Sequence, residues 1–195
     1  MPKLFPGYKD EIKKKIANEA FAIFLEKGFE KTMMDDIAAR LGVTKPALYR
    51  YYKNKEELFI ASMGDTMLGG YRMIFATSFA SDDPITGAGN FFDALLVISS
   101  KYSVIRKDLE YIISRNPSLH QEIAGMYGES LVVMRDVFQE HKRKGKIHTT
   151  MEETDLAFLC GVVAQGLINN VDMGLDPAEA KRLWLLCFTK LSDAG

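Results

Sequence analysis

Apolar residues recur every three or four positions along nearly the whole chain, and no stretch sustains the period-two alternation of a half-buried strand. Across residues 10–27, Ile12, Ile16, Ala20, Ile23 and Phe24 share one helix face, and Gly28 follows where glycine relieves left-handed strain. Thr32, three residues before Asp35, reads as the N-cap of a second helix with the stripe Ile37, Ala38 and Leu41, ended by Gly42. A third helix is expected after Thr44. The threonine hydroxyl serves as its cap, Pro46 fits a first turn because its missing N–H has no partner there, and the helix stops by Tyr52. Asn54 and Glu57 form a capping box for a helix carrying Leu58, Phe59 and Met63, expected to run on to about residue 79 despite Gly64, Gly69 and Gly70.

Ser81-Asp82-Asp83-Pro84 is the clearest interruption. Helical segments are expected over about 86–100 and 101–114, with a break at Asn116-Pro117. Ser118 with Gln121 caps a long helix that Gly145 ends, and Thr150 with Glu153 precedes another that reaches about residue 173. Asp176-Pro177-Ala178-Glu179 opens the last, which ends near Leu191. The pattern predicts an all-α chain of about nine helices, with a three-helix N-terminal domain over residues 1–55 and a larger helical domain over 56–195.

Leu41-Gly42-Val43-Thr44 is too short for an ordinary loop, so the helices it joins must cross steeply at a tight turn. That is a helix-turn-helix, whose second helix enters a DNA major groove about 12 Å wide. The expected contacts come from that helix and its flanks: Lys45, Tyr49, Arg50, Tyr51 and Lys55. Thr32 and Thr44 offer hydroxyls at helix N-termini, where the dipole favours phosphate. Tyr52 also offers a hydroxyl to phosphate. Tyr51 serves equally as a core aromatic, and Arg50 as an ion-pair partner of Glu56 or Glu57.

The run AFAIFLEKGFEKTMMDDIAARLGVTKPALYRYYKNKEELFIAS resembles the N-terminal signature of the TetR/AcrR family of transcriptional regulators. The resemblance implies DNA contacts from Thr32, Thr44, Lys45, Tyr49, Tyr51 and Lys55. Pro46 and Ala47 stand at recognition-helix positions that touch bases, although neither side chain can hydrogen-bond a base edge. Met33 and Met34 replace the polar residues usual after the cap, which points to apolar packing there. The family likeness further implies a homodimer on a palindromic operator, repression as the usual output, and a small-molecule effector bound among the C-terminal helices.

That larger region supplies material for both roles. In the last two helices, Leu156, Leu159, Cys160, Val163, Leu167 and Val171, then Leu183, Leu186, Cys187 and Leu191, follow helical spacing, while Ala157, Gly161, Ala164 and Gly166 permit close approach. Met67, Tyr71, Phe75, Phe92, Tyr102, Tyr111, Met126 and Met134, with Phe91 and Tyr127 beside them, suit an apolar or aromatic effector. Gly69-Gly70 is the expected flexing point between ligand and DNA.

Net charge is −1, yet residues 1–60 hold 12 Lys and Arg against 9 Asp and Glu, and the remainder 13 against 17. Cys160 and Cys187 read as reduced core residues, and His120, His141 and His148 lack metal-ligand spacing, so neither cofactor nor metal is expected. No apolar run of about 18 residues and no leader-like N-terminus is present, which suggests a cytoplasmic protein. Phosphate loops, nucleophile elbows and zinc motifs are likewise missing from the sequence, arguing against an enzyme.

Overall fold

The computed structural model describes residues 7–64, 69–116 and 119–193, with the side chain of Glu122 left aside. The described residues form ten α-helices and no strand. They are α1 (Tyr8–Lys27), α2 (Met34–Leu41), α3 (Lys45–Tyr49), α4 (Lys55–Met63), α5 (Gly69–Ser78), α6 (Pro84–Lys101), α7 (Ser103–Arg115), α8 (Leu119–Arg143), α9 (Glu153–Asp172) and α10 (Pro177–Ser192). The expected nine become ten because the span read as one loose helix carries both α4 and α5. The expected cap at Ser118 falls outside the described residues.

Most helix ends follow the local chemistry. Gly28, Gly42 and Gly145 take positive φ values of 78°, 65° and 65° behind α1, α2 and α8. Asn54 accepts from the Glu57 N–H at 2.7 Å, and Asp176 from the Glu179 N–H at 3.0 Å. Three caps differ from expectation. Helix α2 starts after Met33, whose N–H donates to the Asp36 carboxylate at 2.8 Å. Thr44 stands at the α3 cap in extended conformation, but its hydroxyl makes no cap bond. Helix α9 is entered from Glu152, and Thr150 stands outside it.

The chain divides into two compact units: Met1–Gly69 with Tyr102–Ala124, and Gly70–Lys101 with Gly125–Gly195. In the first, α1 packs chiefly on α4 and α2, and also meets α7. Its core holds Phe24, Phe29 and Phe59, mutually 5.0–6.0 Å apart between ring centroids, with Ile37, Leu48 and Leu58. Helix α4 and most of α7 thus group with the helix-turn-helix, whereas the sequence pattern sets the boundary at residue 55.

The second unit is built around α6, α9 and α10. Phe75, Phe79, Phe91, Phe92, Phe138, Trp184 and Phe188 form one aromatic core. Trp184 is fully buried and donates its indole N–H to the Ala88 carbonyl at 2.7 Å, satisfying its one polar atom. A Cβ at Gly87 would stand 2.7 Å from the Phe79 ring, so only glycine admits that ring against α6.

Candidate nucleic-acid interface

Helix α3 has five residues, far too few to persist alone, so its neighbours must hold it. Leu48 is its fully buried anchor. The turn Gly42–Thr44 is closed by the Val43 N–H donating to the Ala38 carbonyl at 3.0 Å, and the Ala47 N–H bonds the Thr44 carbonyl at 2.9 Å. With Leu48 pinned inward, Thr44, Lys45, Pro46, Tyr49 and Arg50 all stand exposed, and Ala47 and Tyr51 are half-buried. Arg50 has no ion pair among the described residues, so the expected bond to Glu56 or Glu57 does not form. Glu57 instead accepts from the Lys53 N–H at 2.6 Å.

Lys45 is paired with Asp35 on α2, Nζ to Oδ2 at 2.8 Å. That hydrogen bond, and the carboxylate's charge, hold the ammonium above the usual lysine range. Both groups are well solvated, so a phosphate can replace Asp35 at little cost. In the sequence Asp35 reads only as part of a cap, and nothing in the pattern announces this bridge between α2 and α3.

Three expected contacts face the protein. Thr32 is buried, and its hydroxyl donates to the Gly28 carbonyl at 2.7 Å. Tyr52 is buried as well; its hydroxyl donates to the Lys13 carbonyl at 2.9 Å and the Lys13 ammonium stands 5.4 Å from its ring centre. Lys55 Nζ donates to the carbonyls of Phe29 and Thr32 at 2.7 and 2.9 Å, with Glu30 more distant at 3.4 Å, and lies 4.2 Å from the Phe29 ring centre. These three residues fasten the α1–α2 turn and α4 in place. A lone polar residue near a helix start has the same sequence signature in either role.

The residues expected to line an effector pocket do not come together. Phe75, Phe92 and Met134 lie in the aromatic core of the second unit, with Phe91, and Tyr71 packs partly buried against it. Met126 is half-buried and Tyr127 exposed on α8. Tyr102 belongs to the first unit, 5.6 Å from the Phe21 ring centre, and Tyr111 is exposed there, accepting from Arg115 at 2.5 Å. Met67 lies outside the described residues. Among those residues no group of three His, Cys, Asp or Glu could hold a metal ion.

A short helix anchored by one buried leucine behind a tight glycine turn, with cationic and phenolic groups turned outward, defines a helix-turn-helix protein. Residues 16–62 match the family described as "Bacterial regulatory proteins, tetR family". The chain belongs to the TetR family of transcriptional regulators. It is 31% identical over 101 residues to the HTH-type transcriptional activator FasR of Mycolicibacterium smegmatis, a match covering 50% of this chain and 46% of that protein. With the biofilm operon negative regulator IcaR of Staphylococcus epidermidis it shares 25% identity over 141 residues, 63% of this chain and 73% of the relative. Thus the match spans under half of FasR's own length. A TetR-family structure from Mesorhizobium loti superposes with a TM-score of 0.75 at 19% identity, covering 94% of this chain and 98% of that one, which shows the fold.

Proposed function

We propose that this protein is a cytoplasmic, ligand-responsive repressor that binds a palindromic operator as a homodimer and is released by a small apolar or aromatic effector. The observation that carries the DNA-binding part is the outward display of Lys45, Tyr49 and Arg50 on a helix fixed by Leu48. Lys45 serves phosphate, while Tyr49 and Arg50 are positioned for backbone or base edges. One relative is named an activator and another a negative regulator, so repression rests on the family's usual behaviour.

Dimerisation is supported by α9 and α10. Leu156, Cys160, Ala164 and Ile168 seat α9 in its own core, yet Phe158, Leu159 and Val162 remain exposed on α9 and Leu186 on α10. Helix α9 is apolar and long enough to cross a membrane, with a mean hydropathy of 1.2. Its buried face packs on α10 and α6, and a second copy of the chain is the occupant that its outer face suits.

The test begins with genome-wide capture of bound DNA, followed by gel retardation on the recovered duplex. Tyr49→Ala and Arg50→Ala should each weaken binding about tenfold or more. Lys45→Ala should lower the log–log salt slope by about one. Wild-type affinity and slope in all three variants would end the reading. A second reading, DNA binding without a small-molecule input, is favoured by the placement of Phe75, Phe92 and Met134 inside the core. It predicts a protein that no small effector detaches from the captured duplex.

A further inference from the structure

Among the described residues one buried side-chain polar atom has no hydrogen-bond partner: Nε of Arg72 on α5. Buried donors are nearly always satisfied, and a charged donor left idle bears its desolvation penalty uncompensated. The other edge of the same guanidinium is in use, with Nη2 donating to Oε2 of Glu129 on α8, inside the same unit. Glu129 is 71% exposed and so remains well hydrated while it holds one prong. A carboxylate lying side-on to the guanidinium would accept from Nε and Nη2 together, in the two parallel bonds that planar recognition favours.

The surroundings select the rest of the molecule. Arg72 stands three and seven residues before Phe75 and Phe79, on the α5 face whose rings stack at 4.6 Å in the aromatic core. On α8, Val133 lies four residues beyond Glu129 and packs partly buried against that core. An unfilled cationic prong is therefore placed at the margin of an aromatic surface.

We propose that Arg72 is the anion-recognition point of the effector site, that its ligand is an amphipathic monocarboxylate with an aromatic or aliphatic body, and that Glu129 is the internal competitor which this ligand displaces. The assignment rests on the effector-responsive reading above and sharpens it from an apolar ligand to an acidic one. Unliganded, the Arg72–Glu129 pair ties α5 to α8; liganded, that tie is exchanged for the carboxylate, which links occupancy to the packing of the two helices.

Calorimetry on the full-length protein, without DNA, tests this with 4-phenylbutyrate as probe and 4-phenylbutan-1-ol as its neutral counterpart. The acid should bind about tenfold more tightly than the alcohol. Glu129→Gln, which removes the competitor, should strengthen acid binding about fivefold and leave the alcohol unchanged. Arg72→Met should abolish the preference for the acid, and Arg72→Lys, which keeps the charge without the fork, should retain only part of it. If Arg72→Met fails to fold, the Lys and Gln variants decide. Equal binding of acid and alcohol overturns the anion assignment while leaving an apolar effector in place. Failure of the acid to bind both wild type and Glu129→Gln overturns it too. Gel retardation by the unliganded protein separately tests the DNA-binding reading.

Discussion

In the first unit α3 is five residues long and buries only Leu48, whereas in the second α9 and α10 each bury a stripe along most of their length. The two regions are held by different physics. Around α3 the fixing contacts are polar and point at backbone: Lys55 at the Phe29 and Thr32 carbonyls, Tyr52 at the Lys13 carbonyl, and Asp108 of α7 at the Phe29 N–H, 2.7 Å away. In the second unit rings pack on rings, and the single indole N–H finds a carbonyl. A helix that must offer most of its surface to DNA has little apolar area left for anchoring. Its position is then set by hydrogen bonds to the chain around it, while a helix with no such duty can be fixed by burial.

The comparison breaks first at Trp184. Trp184→Ala should cost roughly 3–5 kcal/mol in urea unfolding, because it empties the centre of the ring cluster and leaves the Ala88 carbonyl without its donor. A loss under about 1 kcal/mol would mean that the aromatic core is not what fixes the second unit. Next, Lys55→Met should destabilise the protein by about 1–3 kcal/mol with no DNA present, since it removes a charged donor from two carbonyls at short range. Full stability combined with weaker DNA binding would return Lys55 to the phosphate-contacting set.

At Gly69 and Gly70 an added Cβ meets nothing within 4 Å, so alanine at both should stiffen the start of α5 by up to about 1 kcal/mol each. The double variant should alter effector release while sparing DNA affinity in the unliganded protein; wild-type values for both would remove the flexing role. The smallest effect concerns thiols. Burial, helped by the neighbouring Cys187, pushes the Cys160 thiol up to about 12, so iodoacetamide at pH 8 should leave it untouched in the folded protein while half-buried Cys187 reacts. The raised folded value gives the sign of its pH dependence. Its contribution to stability is complete below the unfolded thiol value of 9.0 and falls as pH rises from there towards 12. A Cys160→Ala variant should lack that alkaline loss in pH-dependent melts.

Several of these contacts can be read from local pattern, and several cannot. Gly28, Gly42 and Gly145, and the caps at Asn54 and Asp176, depend on conformations set within a few residues, and they fall where the pattern predicts. Leu48 and Lys45 on opposite sides of α3 follow from helical spacing alone. Local pattern turns Thr32, Tyr52 and Lys55 outward because each is polar beside a recognition helix. Their true direction depends on which carbonyl the distant chain presents, at Gly28, Lys13 or Phe29, and short-range pattern carries no such information. The same limit groups Tyr102 and Tyr111 with Phe75 and Phe92 in one pocket, although the fold assigns the pairs to different units.

By itself, then, the order of residues determined that the chain is helical, where most helices stop, and that a tight turn precedes a helix offering Lys45, Tyr49 and Arg50. Spacing and capping act over one or two turns, and so they are written locally. Only the tertiary structure decided that Lys45 is paired with Asp35, that Lys55 clasps the backbone, and that Arg72 shares its guanidinium with Glu129 while Nε goes unused. Each of these depends on two segments far apart in sequence approaching within about 3 Å, and that approach is set by the packing of whole helices.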